Sequence, residues 1–171
     1  MKTIKIILGS ITFLVLVFFS TGLLVKETNY NATITINKPV EQVFSTFTTT
    51  HKVQNWIPEI KSVETVQENI GKTGSTYKIV LDNKGQVITM TQKVMAYIPN
   101  EKVTLFFDAE NMLKKDDYRF EENNGTTTIT LSSSCRSDSY IMACMFPFFK
   151  STFKRQDQSY LNNFKSFIET N

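Results

Sequence analysis

The chain has 171 residues and a formal net charge of +3, which leaves room for one ordinary domain with or without an appendage. From Lys26 onward 17 Lys and Arg stand against 16 Asp and Glu, a net of +1, so the concentrated basic surface that nucleic-acid binding requires is missing. One histidine and two cysteines exclude most His/Cys metal sites and any disulfide-rich scaffold.

Ile6 to Val25 carries no charge; Lys2 and Lys5 precede it, and Lys26 and Glu27 close it. A helix of this length covers roughly 30 Å, the hydrocarbon thickness of a bilayer. A cleaved signal peptide is the competing reading, with Ile6 to Phe19 as its apolar region and Ser20-Thr21-Gly22 as the small residues at the cut. The run continues through Leu23, Leu24 and Val25, which favours a retained single-pass anchor. Positive charges are tied, Lys2 and Lys5 against Lys26 and Lys38. The tighter N-terminal pair and the amino terminus tip the orientation toward N-inside, with the body on the extracytoplasmic side. The chain thus divides into an anchor (1–25), a short linker (26–31) and one soluble domain (32–171).

The body leans toward β structure, with 22 Thr and 27 Val and Ile in the chain. Asn31 to Asn37 alternates apolar and polar residues and predicts a first strand. Pro39 suits a first helical turn, with Val40, Val43, Phe44 and Phe47 following at helical spacing. A second short helix is expected over Thr50 to Trp56, stopped by Pro58. Six strands follow: Ile60 to Glu68, Ser75 to Leu81, Gln86 to Tyr97, Lys102 to Ala109, Asp116 to Glu122 and Thr126 to Cys135. Turn residues separate them, at Gly71 to Gly74, Asp82-Asn83-Lys84-Gly85, Pro99-Asn100, Asn111 to Lys115 and Asn123-Asn124-Gly125. Such short loops favour antiparallel hairpins. Met145 to Thr170 carries Phe149, Phe153, Tyr160, Phe164 and Phe167 as one helical stripe, with Lys150, Lys154, Arg155, Asp157 and Glu169 assigned to other faces. An antiparallel sheet of this length curls, and the last helix is the object for its concave face to hold: an α+β layer arrangement.

Four segments carry a resemblance. Thr35-Ile-Asn-Lys-Pro-Val-Glu-Gln-Val-Phe44 is similar to the opening of the START-related, polyketide-cyclase and lipid-transport superfamily. Asn55-Trp-Ile-Pro58 resembles its Trp-x-Pro segment, Ala96-Tyr-Ile-Pro-Asn-Glu-Lys-Val103 its strand, Pro turn and strand, and Gly125-Thr-Thr-Thr-Ile129 the start of its last strand. The resemblance covers residues 31 to 170, and an anchor followed at once by this domain resembles many bacterial members. It implies the helix-grip fold of START and birch-allergen proteins, a curved seven-stranded sheet around a long C-terminal helix, with a cavity for an apolar ligand. It does not imply one activity, because members include lipid carriers, hormone and quinone binders and cyclases.

Other signals have ordinary explanations. Ser151-Thr-Phe-Lys154, Lys72-Thr-Gly74 and Ser137-Asp138-Ser139 imitate the motifs of penicillin-recognising enzymes, but in reversed order and with Ser139 at the third position of S-D-N. His51 reads as a solvated loop residue between short helices, with a role at the cavity mouth as the alternative, for which the sequence shows none of the partners a base needs. Cys135 and Cys144 read as free, partly buried thiols, with pairing open if the body is extracytoplasmic. Asp116-Asp117 and Glu121-Glu122 read as a solvated hairpin. Trp56 reads as core before it reads as a ligand platform.

The expected function is therefore the membrane-tethered binding of a hydrophobic small molecule or lipid, without catalytic residues, metal or cofactor. Its lining is expected from Phe149, Phe153 and Tyr160 on the helix and from Tyr77, Met90, Phe107, Tyr118 and Ser133 on strands. Tyr118, Tyr160 and Ser133 are the candidates for orienting a polar head. A register error of one residue would turn every inward strand side chain outward. The alternatives are a polyketide cyclase/dehydrase-like enzyme on an aromatic or polyketide-type substrate, and a protein-interaction module that takes no ligand.

Overall fold

The computed structural model describes residues 2–83 and 85–170. Lys84, in the expected turn Asp82-Asn83-Lys84-Gly85, falls outside the described residues. Helix α1 (Lys2–Leu24) comes first, with no buried residue along its length. Strand β1 (Thr28–Ile36) begins three residues earlier than the alternation at Asn31 suggested. Only Val25, Lys26 and Glu27 separate the two, a reach of about 10 Å when extended.

Helix α2 (Val40–Phe47) has Pro39 at its N-cap, where a missing N–H costs nothing, and the free Val40 N–H donates to Glu122 Oε2 at 2.7 Å. A 3-10 turn over Thr50–Asn55 replaces the expected second helix. The remaining strands are β2 (Ile60–Gln67), β3 (Thr76–Asn83), β4 (Gln86–Ile98), β5 (Lys102–Ala109), β6 (Met112–Asn123) and β7 (Thr126–Arg136). Strand β6 starts four residues before Asp116, so most of the expected Asn111 to Lys115 loop is strand. Asn124 and Gly125, both at positive φ, close the β6–β7 hairpin as its sequence predicts.

These strands form one antiparallel sheet in the order β1-β7-β6-β5-β4-β3-β2. The first two strands in sequence are thus the two edges, and α2 with the 3-10 turn spans between them. Helix α3 (Tyr140–Thr170) starts five residues earlier than expected and includes Pro147. It lies along β1 on the concave side, and the register names that inner face: Tyr30, Ala32 and Ile36 on β1 align with Ser133, Leu131 and Thr127 on β7. Every one of those six side chains is buried. The apolar core gathers where α2 and the C-terminal half of α3 meet the sheet. Phe164 is fully buried there, edge-on to Phe47 at 5.1 Å and to Trp56 at 4.9 Å between ring centroids.

The last turns of α1 pack on the first turns of α3. Phe18 stacks on Phe148 and Phe19 on Tyr140, each at 6.1 Å between centroids. Thr21 Oγ1 donates to the Cys144 carbonyl at 3.0 Å, and Tyr140 donates to the Phe19 carbonyl at 2.6 Å. Gly22 permits this approach: a Cβ there would stand 2.5 Å from Cys144 Sγ. Cys144 and Cys135 are both buried and both free.

Candidate functional site

A cavity of about 130 Å³ lies between the sheet and the helices. Three groups of side chains wall it. Phe47, Val53 and Trp56 come from α2 and the segment after it; Tyr77, Val94, Tyr97, Leu105 and Phe107 come from β3, β4 and β5; Asp157, Tyr160 and Leu161 come from α3. The wall is mostly apolar because strand alternation sends one residue in two inward, and those positions here are Val, Ile, Leu, Phe and Tyr, with Gln92 as the polar exception. Trp56 serves both core and cavity wall, being 3% exposed.

One side of the space meets a buried charged seam. Lys114 Nζ lies 2.7 Å from Asp116 Oδ2 and 2.9 Å from Asp157. The Ser133 hydroxyl donates to Asp116 Oδ1 at 2.7 Å, and the Tyr30 hydroxyl donates to Asp157 Oδ2 at 2.7 Å. The Tyr118 hydroxyl donates to Asp116 Oδ2, the oxygen that Lys114 holds, at 3.4 Å, the slackest contact in the group. Cross-strand register builds the seam: Leu105, Asp116 and Ser133 sit side by side on β5, β6 and β7, and Tyr30 follows on β1. Asp157 comes down from α3 to close it. Of these residues, Asp157 and Tyr118 also wall the cavity, so the seam presents a carboxylate and a phenol to whatever fills the space.

Electrostatics follow from one cation between two carboxylates. Burial by itself would lower the Lys114 pKa, but Asp116 and Asp157 hold it well above the usual lysine value. Burial raises Asp116; Lys114 opposes that and Asp157 adds to it, leaving the carboxyl above the ordinary aspartate range. Tyr118 is pushed well up by burial and then by Asp116, and stays a neutral hydroxyl donor at physiological pH. Tyr160 is pushed up to about 12 by burial, with Glu59 adding to it, and accepts a hydrogen bond from Gln156 Nε2 at 2.7 Å. Burial likewise raises the Cys135 thiol, which keeps it protonated and unreactive. Among the described residues no group of three or more His, Cys, Asp or Glu side chains is placed to hold a metal ion.

Four of the eight expected lining residues, Tyr77, Phe107, Tyr118 and Tyr160, face this cavity together. The other four lie elsewhere. Ser133 is buried in the seam, and Phe153 stacks on Tyr30 at 6.4 Å and meets Phe146 edge-on at 5.5 Å. Met90 pairs with Ile79 on the inner face, two residues past Gln92 toward the β3–β4 turn. Phe149 is 41% exposed near the contact with α1. Two expectations fail. Asp116 is 1% exposed and not part of a solvated hairpin, because neighbours on a strand face opposite ways and only Asp117 points out. Asp157 is 7% exposed and lies on the apolar stripe of α3, not on another face. Lys114 escaped notice because its strand read as a turn. Glu121 and Glu122 are exposed, as expected of a solvated pair.

The fold has many solved counterparts at low identity. The Zhui aromatase/cyclase from Streptomyces sp. R1128 superposes with a TM-score of 0.72 at 14% identity, over 84% of this chain and 94% of that one. A conserved protein from Geobacillus kaustophilus gives 0.71 at 17% identity, over 83% and 95%. Ara h 8.0201 gives 0.67 at 15% identity, over 85% and 99%. No curated protein matches the sequence. At such identities these structures establish the helix-grip fold and nothing finer. The family model described as polyketide cyclase / dehydrase and lipid transport matches residues 27–166, which is β1 through nearly the end of α3. With the expected sheet, the gripped helix and the cavity in place, the chain belongs to the polyketide cyclase/dehydrase and lipid transport family.

Proposed function

We propose that the protein is a membrane-tethered binder of a hydrophobic small molecule or lipid, which it holds in the cavity between sheet and α3. The observation that carries this reading is a mostly apolar space with a few convergent polar groups, the usual makeup of a small-molecule site. About 130 Å³ takes one ring or a short stretch of acyl chain, close to the ~150 Å³ apolar cavity that accepts benzene. The neutral Tyr118 hydroxyl, held only at 3.4 Å, is free to turn toward a ligand carbonyl or hydroxyl. Tyr160 offers the second polar contact, while Tyr77, Leu105 and Phe107 supply burial. Lipid or apolar ligand is the partner class; the tether is α1, retained in the bilayer with the domain on the extracytoplasmic side.

The test is a titration of the full chain, in mild detergent, with a fluorescent fatty acid and an isoprenoid probe. Saturable binding is expected, weakened by Tyr118→Phe and abolished by Leu105→Trp, which fills the space. Folded protein that saturates with no apolar probe would remove the carrier reading and leave the interaction module. The presence of Asp157 beside Tyr118 in the cavity wall favours a second reading, cyclase/dehydrase chemistry on an aromatic or polyketide-type substrate, since a carboxylate and a phenol are a minimal acid/base pair. A bound compound returned with altered mass would support that reading.

A further inference from the structure

The first turns of α3 are apolar on more than their core-facing side: Cys144 and Phe146 are buried, while other large apolar side chains there stay exposed. Tyr140 to Phe149 holds no charged residue; Asp138 lies before it and Lys150 after it. Ile141 is 59% exposed and Phe148 62% exposed, unusual for side chains of their size in water. The same turns are the ones that pack on α1. Phe148 stacks on Phe18, Tyr140 on Phe19, and Gly22 sits against Cys144. Helix α1 has no fully buried residue and is long and apolar enough to cross a membrane.

We propose that the segment Tyr140 to Phe149 is itself embedded in the bilayer leaflet that receives the C-terminal end of α1, so that the domain holds the membrane through two helices and not by a tether alone. This rests on the reading of α1 as a retained membrane helix. The uncharged run ends at Val25, one residue past α1, and Phe18 lies seven residues before that end. At 1.5 Å rise per residue this is a depth of about 10 Å below the boundary, and Phe148 is in ring contact at that level. Interfacial helices bury their apolar face about 5–10 Å deep, the same range. The apolar surface of α1 meets α3 at Phe148 and Tyr140, next to the exposed Ile141, so hydrocarbon around the one helix reaches the other. Charge agrees with the depth: Lys150, Lys154 and Arg155 are exposed and follow directly on α3, where they reach the headgroup level. Seated so, the domain cannot swing freely on Val25 to Glu27. The β3–β4 turn and the start of β1 share the end of the sheet that faces the bilayer.

The proposal is tested with full-length protein in phosphatidylcholine/phosphatidylglycerol vesicles whose phosphatidylcholine is brominated high on the acyl chains. Trp56 is the one tryptophan and is replaced by Trp56→Phe; a reporter is then added by Phe148→Trp, by Ile141→Trp or, as the reference within α1, by Phe18→Trp. Bromine should cut the emission from positions 141 and 148 by about twofold or more, as it does for position 18 at comparable depth. Quenching at 18 with none at 141 and 148 would overturn the proposal and leave the tether intact. Quenching at none of the three would remove both the proposal and the membrane reading beneath it. If the Trp56→Phe background fails to fold, the reporters are placed with Trp56 retained and the quenching of the parent protein is subtracted.

Discussion

Lys114→Met should destabilise the protein at neutral pH and much less in acid. Among the described residues Lys114 is the one cation paired with Asp116 and Asp157, at 2.7 and 2.9 Å, the two carboxylate side chains being 2% and 8% exposed. At an effective dielectric of 20 each contact is worth about 6 kcal/mol before desolvation, and desolvation removes several kcal/mol per ion. Methionine keeps the length and apolar stem but leaves two carboxylates buried without a counter-charge, a change that typically costs about 3–5 kcal/mol. The pH dependence has a definite sign. Burial already raises the Asp116 carboxyl and Lys114 opposes that rise, so removing Lys114 raises it further; its penalty is present at pH 7 and fades as pH falls. The assay is urea unfolding of the full chain in mild detergent, at pH 7 and pH 5. The midpoint should drop by about 2 M urea at pH 7, with a smaller deficit at pH 5. Adding Asp116→Asn should restore part of the loss at pH 7. A loss below about 1 kcal/mol, or one that ignores pH, would refute the ion seam as described.

Alkali should act on the same seam: Tyr118 and Lys114 both have raised folded-state values, so the unfolded chain gives up their protons first and stability falls as pH rises above about 10, by about 1.4 kcal/mol per pH unit for each proton. Unfolding midpoints between pH 9 and 11 should therefore decline less steeply in Tyr118→Phe than in the parent. Phe164→Ala, which empties a fully buried ring position between Phe47 and Trp56, should cost about 3–5 kcal/mol in denaturant unfolding. Phe153→Ala, half-buried against Tyr30, should cost about half of that. Gly22→Val places a Cβ where Cys144 Sγ is 2.5 Å away, and should part α1 from α3. In a Cys135→Ser background, a membrane-permeant maleimide should label Cys144 faster in that variant than in its parent.

Period and punctuation made most of the fold legible. Strand β5 falls on its expected bounds, and six of the seven strand starts lie within three residues of the expected ones, because Gly, Asn and Pro turns interrupt alternating apolar runs. The exception decides the site. In Met112-Leu-Lys-Lys-Asp-Asp117 the charges imitate a turn, yet Met112, Lys114, Asp116, Tyr118 and Phe120 alternate as one face of β6. Residues paired in the core override local polarity, and no single-residue preference carries that information. Asp157 was closer to legible: it lies four residues after Phe153 and three before Tyr160, inside the helical stripe. A lone carboxylate at such a position needs a buried cation, and Lys114 is supplied by a strand 43 residues away in sequence. The side chains of Tyr77, Phe107, Tyr118 and Tyr160 were reached because alternation and stripe both put them inward. Phe149 was not, because the start of α3 faces α1, a contact between the two ends of the chain.

The apolar ligand proposed for the cavity can be sought directly. Full-length protein, purified in a mild non-ionic detergent, is extracted with organic solvent, and the extract is compared by mass spectrometry with one from Leu105→Trp. An apolar compound present near one equivalent with the parent and lost from the filled variant is the predicted result. No such compound in either extract, or equal amounts in both, would contradict the claim.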